Sequence, residues 1–244
     1  MTITLQRNPL PTPTLHEHEL HLWLADLNAA ASNSPALEET LSLAELAQAK
    51  RYLHERDRHR SIAARAILRN LLGTYTGTSP QEIILQHHPN GKPFLSSKSD
   101  IKTLQFNLSH SENVALYVFS WGRHIGVDIE RIGNTADIES LACRVLTDEE
   151  YPAFQLCADI DKTQLFYRYW TCKEAIVKAS GGTINEMSQI AIPLGYSASA
   201  DWIKVSRDTS SDSWVVREIA SLPGYTAALA AESLATLSFR TLNL

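Results

Sequence analysis

Apolar and polar positions alternate through "HELHLWLADLN" (18–28), which predicts a strand. The Pro-rich stretch before it, residues 1–17, is expected to form a flexible tail. From "SLAELAQAK" to "RNLLG" (42–73) the spacing turns helical, with Gly73 as the expected C-cap. "EIILQHHPNGKPFL" (82–95) predicts a strand, a turn at Asn90–Gly91 and a short extended piece. "LQFNLSHSENVALYVFSW" predicts two strands joined at a polar turn, and "HIGVDIERI" a third. Helical spacing returns in "IESLACRVLTDEEYPAFQ" and again in "KTQLFYRYWTCKEAIVKASGG", which stops at Gly181–Gly182. The rest predicts strands at "QIAIPL", "DWIKVS", "SWVVREI" and "GYTAALAAES".

The order repeats weakly: helix, Gly-marked stop, strand, turn, strand, then a strand rich in small residues ("NVALYVFS" and "YTAALAAES"). The expected fold class is therefore α+β, with two pseudo-symmetric half-domains, each a small antiparallel-rich sheet packed on helices. The halves are expected at 18–121 and 122–244, with the boundary near Ser120–Arg123 and a site in the cleft between them.

Within "IGVDIE" (125–130), Asp128 and Glu130 share one strand face, and Ile125, Val127 and Ile129 share the other. Two carboxylates side by side repel, so something must neutralise them. A solvated edge strand is the plain explanation; a hard cation bridging to phosphate is the functional one. In "WTCKEAIVKASG" (170–181), Trp170, Glu174 and Lys178 fall on one helix face. An ordinary surface pair explains Glu174 and Lys178; so does a third metal carboxylate beside a phosphate ligand. In "FNLSHSE", Ser109 and His110 are neighbours at a turn, but adjacent strand residues point oppositely, so they form no catalytic dyad. Lys92, on the turn of "NGKPFL", is an ordinary surface lysine unless an anion sits beside it.

Charge narrows the choice. The chain of 244 residues carries −5 overall, yet residues 50–69 hold seven Lys/Arg against Glu55 and Asp57. One basic helix on an otherwise acidic protein suits a compact anion better than a nucleic-acid track. Helical rotation puts Arg60 on the apolar stripe of Ala64, Ile67, Leu68 and Leu71, as expected for an arginine reaching into a cleft towards phosphate. Arg58, Arg65 and Arg69 fall together elsewhere, and a solvated face is the expectation for Arg69. No apolar run is long enough to span a bilayer, and the N-terminus has no secretory pattern. Three cysteines without metal spacing fit reduced thiols and a cytoplasmic protein.

Taken in order, "NGKPFL", "FNLSHS", "IGVDIE" and "WTCKEAIVKASG", with the basic helix and its His59–Arg60 pair, resemble the 4'-phosphopantetheinyl transferases of the double-length, surfactin-synthetase type. The resemblance spans roughly residues 18–232. It implies transfer of phosphopantetheine from coenzyme A to a serine of an apo acyl or peptidyl carrier protein, releasing adenosine 3',5'-bisphosphate. It implies Mg²⁺, with Mn²⁺ as a substitute, held by Asp128, Glu130 and Glu174. It places Lys178, His110, Lys92 and Ser109 on the coenzyme A phosphates, and Arg60 and Arg51 at the 3'-phosphate and adenine end. Catalytic roles fall to Glu174 and Lys178, with Glu150 of "LTDEEY" a second candidate for removing the serine proton. One departure is visible: where some relatives place two lysines before the basic helix, this chain has Glu45 and Gln48, leaving Lys50, Arg51 and Arg65 as replacements.

Double length implies a monomer; the acidic net charge predicts no nucleic-acid partner, and the lack of a bilayer-length apolar run predicts no membrane partner. Arg144 and Arg168 are candidates to meet an acidic carrier. The rival readings are a Mg²⁺-dependent phosphodiesterase or nuclease, disfavoured by the acidic remainder, and a carrier-binding module without catalysis, disfavoured by the intact carboxylates and Lys178.

Overall fold

A computed structural model describes residues 13–31, 34–96, 103–133, 137–193, 201–206, 213–220 and 223–242. Strand β1 (Glu19–Asp26) leads into short helices α1 (Leu27–Ala31), α2 (Ser34–Glu38) and α3 (Leu43–Ala49), then the long α4 (Glu55–Thr76). A small hairpin follows, β2 (Leu85–His87) and β3 (Pro93–Leu95), then β4 (Leu104–Ser111), β5 (Val114–Trp121) and β6 (Ile125–Arg131). Helices α5 (Ile138–Val145), α6 (Glu150–Leu156) and α7 (Asp159–Ser180) precede β7 (Ile203–Ser206), β8 (Ser213–Glu218), β9 (Tyr225–Ala231) and β10 (Thr236–Thr241).

The strands form two four-stranded sheets, ordered β10-β1-β5-β4 and β6-β9-β8-β7, beside the β2-β3 hairpin. Period-two alternation decides the layering. On β5, Ala115, Tyr117 and Phe119 face a core with Ile62, Ala66 and Leu72 of α4. Leu116 and Val118 instead meet Ile125, Val127, Ile129 and Leu229 of the second sheet. On β9, Ala228 and Ala230 turn to α7, packing with Cys172, Ala175 and Ile176. The order of layers is thus α4, first sheet, second sheet, α7. Among the described residues, every strand pairing is antiparallel except that of β10, which lies parallel to β1.

This α+β architecture matches the expected fold class. Of the expected flexible tail, residues 1–12 lie outside the described residues, and Leu15 is buried in the first core, which contradicts that expectation. Three further differences stand out. Residues 236–241 have no predicted element, yet they form β10 and complete the first sheet rather than the second. "QIAIPL" forms no strand in its described residues: Ile190 and Ile192 are buried, but the stretch follows a 3-10 turn and only Ile190 makes an isolated bridge. Gly73 is not the cap of its helix. It lies inside α4, close to the Thr78 carbonyl, and Gly77, at φ 69°, is the left-handed C-cap.

Candidate active site

Strands β4 and β6 are edges of different sheets and run side by side, joined by side chains. Alternate residues of β4 make the joins. Asn107 Oδ1 accepts the Val127 N–H at 2.9 Å, and the Ser109 hydroxyl donates to Asp128 Oδ1 at 2.8 Å. The Ser111 hydroxyl donates to Glu130 Oε2 at 3.0 Å and accepts the Arg131 N–H at 3.0 Å. Sequence reasoning did not find Asn107 or Ser111; their period-two spacing with Ser109 was the available signal.

Helix α7 brings the remaining groups. Lys178 Nζ lies 2.6 Å from Asp128 Oδ1, 3.2 Å from Ser109 Oγ and 4.0 Å from Glu174 Oε2. Gly126 makes this approach possible: a Cβ there would fall 2.1 Å from the Ala175 carbonyl oxygen. Asp128 is 2% exposed, and its Oδ2 has no hydrogen-bond partner. Burial pushes the Glu130 carboxyl pKa up, the neighbouring Asp128 carboxylate adds to this, and the Ser111 hydroxyl and Lys178 oppose it. Glu174 is also raised by burial, against the pull of Lys178 and with a push from Asp128. The three carboxylates therefore lie within each other's field. As they stand, among the described residues, no three His, Cys, Asp or Glu side chains converge to metal-ligand spacing; Lys178 takes the Asp128 oxygen instead.

Positive charge gathers around them. His110 lies exposed at the rim; loss of hydration among its neighbours, then the charges of Lys178, Arg65 and Arg60, hold its imidazole pKa below the usual value. Arg60 is drawn in from α4, with Nε 2.9 Å from Asn28 Oδ1 and Nη1 3.0 Å from Glu112 Oε2. Glu112 holds the β4–β5 turn with a left-handed φ of 52°. Arg51 is exposed just after α3.

Other predicted residues lie differently. Lys92 does not extend into solvent; its ammonium donates to the carbonyls of Lys178 at 2.7 Å and Ile125 at 3.0 Å, and burial lowers its pKa to about 8. It borders a cleft of about 600 Å³ lined also by Asn90, Phe94, Phe106 and His124. Arg69 is not on a solvated face. It is 3% exposed, with Nε 2.7 Å from Glu45 Oε2 and Nη1 on the carbonyls of Pro80 and Ile83, because α3 covers it. Glu45, the departure noted in the sequence, also lies 3.6 Å from Arg65. Arg144 is exposed, whereas Arg168 pairs with Glu218 at 2.8 Å.

Glu150 lies apart from Asp128, Glu130 and Glu174 and is paired with other groups. It is 1% exposed, and Oε2 meets Lys173 Nζ at 2.5 Å and the Thr147 N–H at 2.9 Å. Its Oε1 accepts the Ile192 N–H at 2.6 Å. Lys173, itself fully buried, also donates to the carbonyls of Val145 and Met187. A carboxylate so enclosed is an anchor for the loops flanking α7 and has no path to a substrate proton. Sequence reasoning passed over Lys173, whose signal was a lysine at core spacing from Tyr169 and Ile176.

Residues 124–230 match the 4'-phosphopantetheinyl transferase superfamily, and residues 28–120 match the N-terminal 4'-phosphopantetheinyl transferase family. The 4'-phosphopantetheinyl transferase HetI of Nostoc sp. is 42% identical over 193 residues, covering 78% of this chain and 81% of that relative. The chain belongs to the 4'-phosphopantetheinyl transferase superfamily. A putative 4'-phosphopantetheinyl transferase of Synechocystis sp. is 31% identical over 72% of this chain and 71% of its own length. The 4'-phosphopantetheinyl transferase Sfp of Bacillus subtilis is 27% identical over 54% of this chain and 56% of its own. Family membership makes this protein a transferase of phosphopantetheine to carrier proteins. These matches lend no support to the phosphodiesterase or binding-module readings. Among the described residues, no helix of this transferase is long and apolar enough to cross a membrane.

Proposed function

We propose that this transferase takes phosphopantetheine from coenzyme A and attaches it to the serine hydroxyl of an apo acyl or peptidyl carrier protein, with Mg²⁺ as cofactor. The observation that carries this is the buried Asp128, whose Oδ2 lacks a partner and whose charge helps raise the pKa of both Glu130 and Glu174. A hard cation suits such oxygen donors, so Asp128, Glu130 and Glu174 are the residues that would hold it. When bound, it would draw negative charge from the pyrophosphate and stabilise the departing phosphate.

The chain's own groups account for the rest. Lys178, with Arg60 and Arg65 nearby, provides the fixed positive field that anionic phosphates need, and His110, its pKa held down by burial and those charges, offers an uncharged N–H donor. Ser109 holds Lys178 and Asp128 together by one hydroxyl. Glu174 is the better placed base for the serine proton, since burial moves its pKa towards neutrality; Glu150 is enclosed. Arg60 and Arg51 are assigned to the nucleotide end. Arg69 and Glu45 occupy each other, and Arg65 lies 3.6 Å from the same carboxylate, which leaves Arg51 and Lys50 as the residues least engaged by Glu45 for the 3'-phosphate. The adjoining matches ending at 120 and starting at 124 support a boundary at Ser120–Arg123. Action as a cytoplasmic monomer belongs to the same proposal.

Asp128→Ala and Glu174→Ala should each abolish transfer to an apo carrier protein while circular dichroism stays that of the parent. Normal turnover in either variant would overturn the carboxylate assignment.

A further inference from the structure

The turn at Asn90–Pro93 meets the end of α7 with two independent contacts. Lys92 Nζ donates to the Lys178 carbonyl at 2.7 Å and to the Ile125 carbonyl at 3.0 Å. Asn90 Nδ2 donates to the Gly181 carbonyl at 3.0 Å. The last carbonyls of a helix have no intrahelical donor and carry its negative end, so a cation and an amide both stabilise them. In α7 the Val177 carbonyl is already taken by the N–H groups of Gly181 and Gly182. Lys178 and Gly181 are then capped from the other half of the protein. Ile125 is the first residue of β6, so one ammonium fastens the end of α7 to the start of the strand carrying Asp128 and Glu130.

Lys178 is held at both ends. Its carbonyl is bound by Lys92, and its own ammonium lies 2.6 Å from Asp128 Oδ1 and 3.2 Å from Ser109 Oγ. Shifting that last helical turn would carry Lys178 off the carboxylate. We infer that Lys92 is a positioning residue of the transfer reaction: with Asn90 it clamps the final turn of α7 against β6 and so sets Lys178 in place, its ammonium directed at backbone carbonyls and not at the substrate. The burial that lowers its pKa to about 8 agrees with an ammonium spent on protein carbonyls. The inference rests on the proposal that Lys178 serves the phosphates.

Lys92→Met, Asn90→Ala, Lys178→Met and the Lys92→Met/Lys178→Met double variant decide it. The readouts are kcat/KM for coenzyme A with an apo acyl carrier protein, and amide hydrogen exchange of residues 177–182 without substrate. Lys92→Met should lower kcat/KM about tenfold alone and less than about twofold when added to Lys178→Met, since coupled residues are non-additive. It should also speed exchange in the last turn of α7 severalfold. Asn90→Ala should move both readouts the same way to a smaller extent, and it carries the test if Lys92→Met does not fold. An equal fold-loss in both backgrounds, with exchange unchanged, would make Lys92 a direct ligand and overturn the inference. Full activity in Lys92→Met would overturn it too. Full activity in Lys178→Met would instead refute the role given to Lys178.

Discussion

Gly126→Ala is the smallest change that should separate the two halves of this site. The added Cβ would lie 2.1 Å from the Ala175 carbonyl oxygen and 2.5 Å from the Ala179 nitrogen, both backbone atoms of α7. Backbone cannot swing aside as a side chain can, so the helix must retreat by roughly 1 Å to restore ordinary contact. Ala175 and Ala179 each directly follow a residue proposed for the site, Glu174 and Lys178. A retreat of that size stretches the 2.6 Å Lys178–Asp128 contact beyond hydrogen-bond range. Overpacking of this kind costs about 1–3 kcal/mol, and each kcal/mol lowers the melting temperature of a chain this size by about 2–4 °C. Misplacement by about 1 Å can cost on the order of 10²-fold in rate, so turnover should fall far more than stability does. Gly77→Ala is the matched control. Its φ is 69° with nothing within 4 Å of the new Cβ, so left-handed strain should cost roughly 1–2 kcal/mol without moving α7. Both variants are melted by circular dichroism and assayed for transfer to an apo carrier protein. Turnover by Gly126→Ala equal to that of Gly77→Ala would refute the reasoning.

Glu150→Gln should destabilise the protein by about 3–5 kcal/mol, because it leaves the Lys173 ammonium buried without its counter-ion; a melting temperature within about 2 °C of the parent would show the pair to be dispensable. Asn107→Ala should cost about 1–3 kcal/mol by leaving the buried Val127 N–H unmatched, measured by urea unfolding, and no loss would mean β4 and β6 hold together without it. His21 is fully buried, bonded to Tyr75 at 2.7 Å, and burial, then the Arg240 charge, hold its pKa down against the pull of Glu19. The unfolded chain therefore takes up this proton at higher pH than the folded one, and stability falls as pH drops through the ordinary histidine range. Melting temperature should fall more between pH 7.5 and 5.5 in the parent than in His21→Gln; parallel declines would contradict this.

Much of this architecture is legible in the sequence because local periodicity reports it. Alternation marked β1, β4, β5 and β6, and the i, i+4 spacing put Glu174 and Lys178 on one face of α7. The opposite faces of β6 were equally plain, since period-two alternation puts Ile125, Val127 and Ile129 on one side and Asp128 and Glu130 on the other, although it did not show that Asp128 would be buried too. What stayed hidden depends on contacts distant in sequence. β10 is an edge strand whose partner, β1, lies at the other end of the chain, and "TLSFRT" alone has few apolar residues to mark it. Arg69 looked like one of a solvated cluster because helical rotation cannot show that α3 folds over it. Glu150 and Lys173 were unreadable for a related reason: burial of a charge is allowed only by its partner, and 23 residues separate the two. Lys92 was visible as a lysine on a turn, but not that two carbonyls would claim it.

The most direct measurement is intact-mass analysis of an apo acyl carrier protein, and of a peptidyl carrier domain, incubated with this protein, coenzyme A and MgCl₂, with EDTA in a parallel sample. The account predicts a gain of one phosphopantetheine group on the carrier serine, lost with EDTA and lost with Asp128→Ala. No gain on either carrier would contradict the transfer reaction, and a gain unchanged by EDTA or by Asp128→Ala would contradict the site.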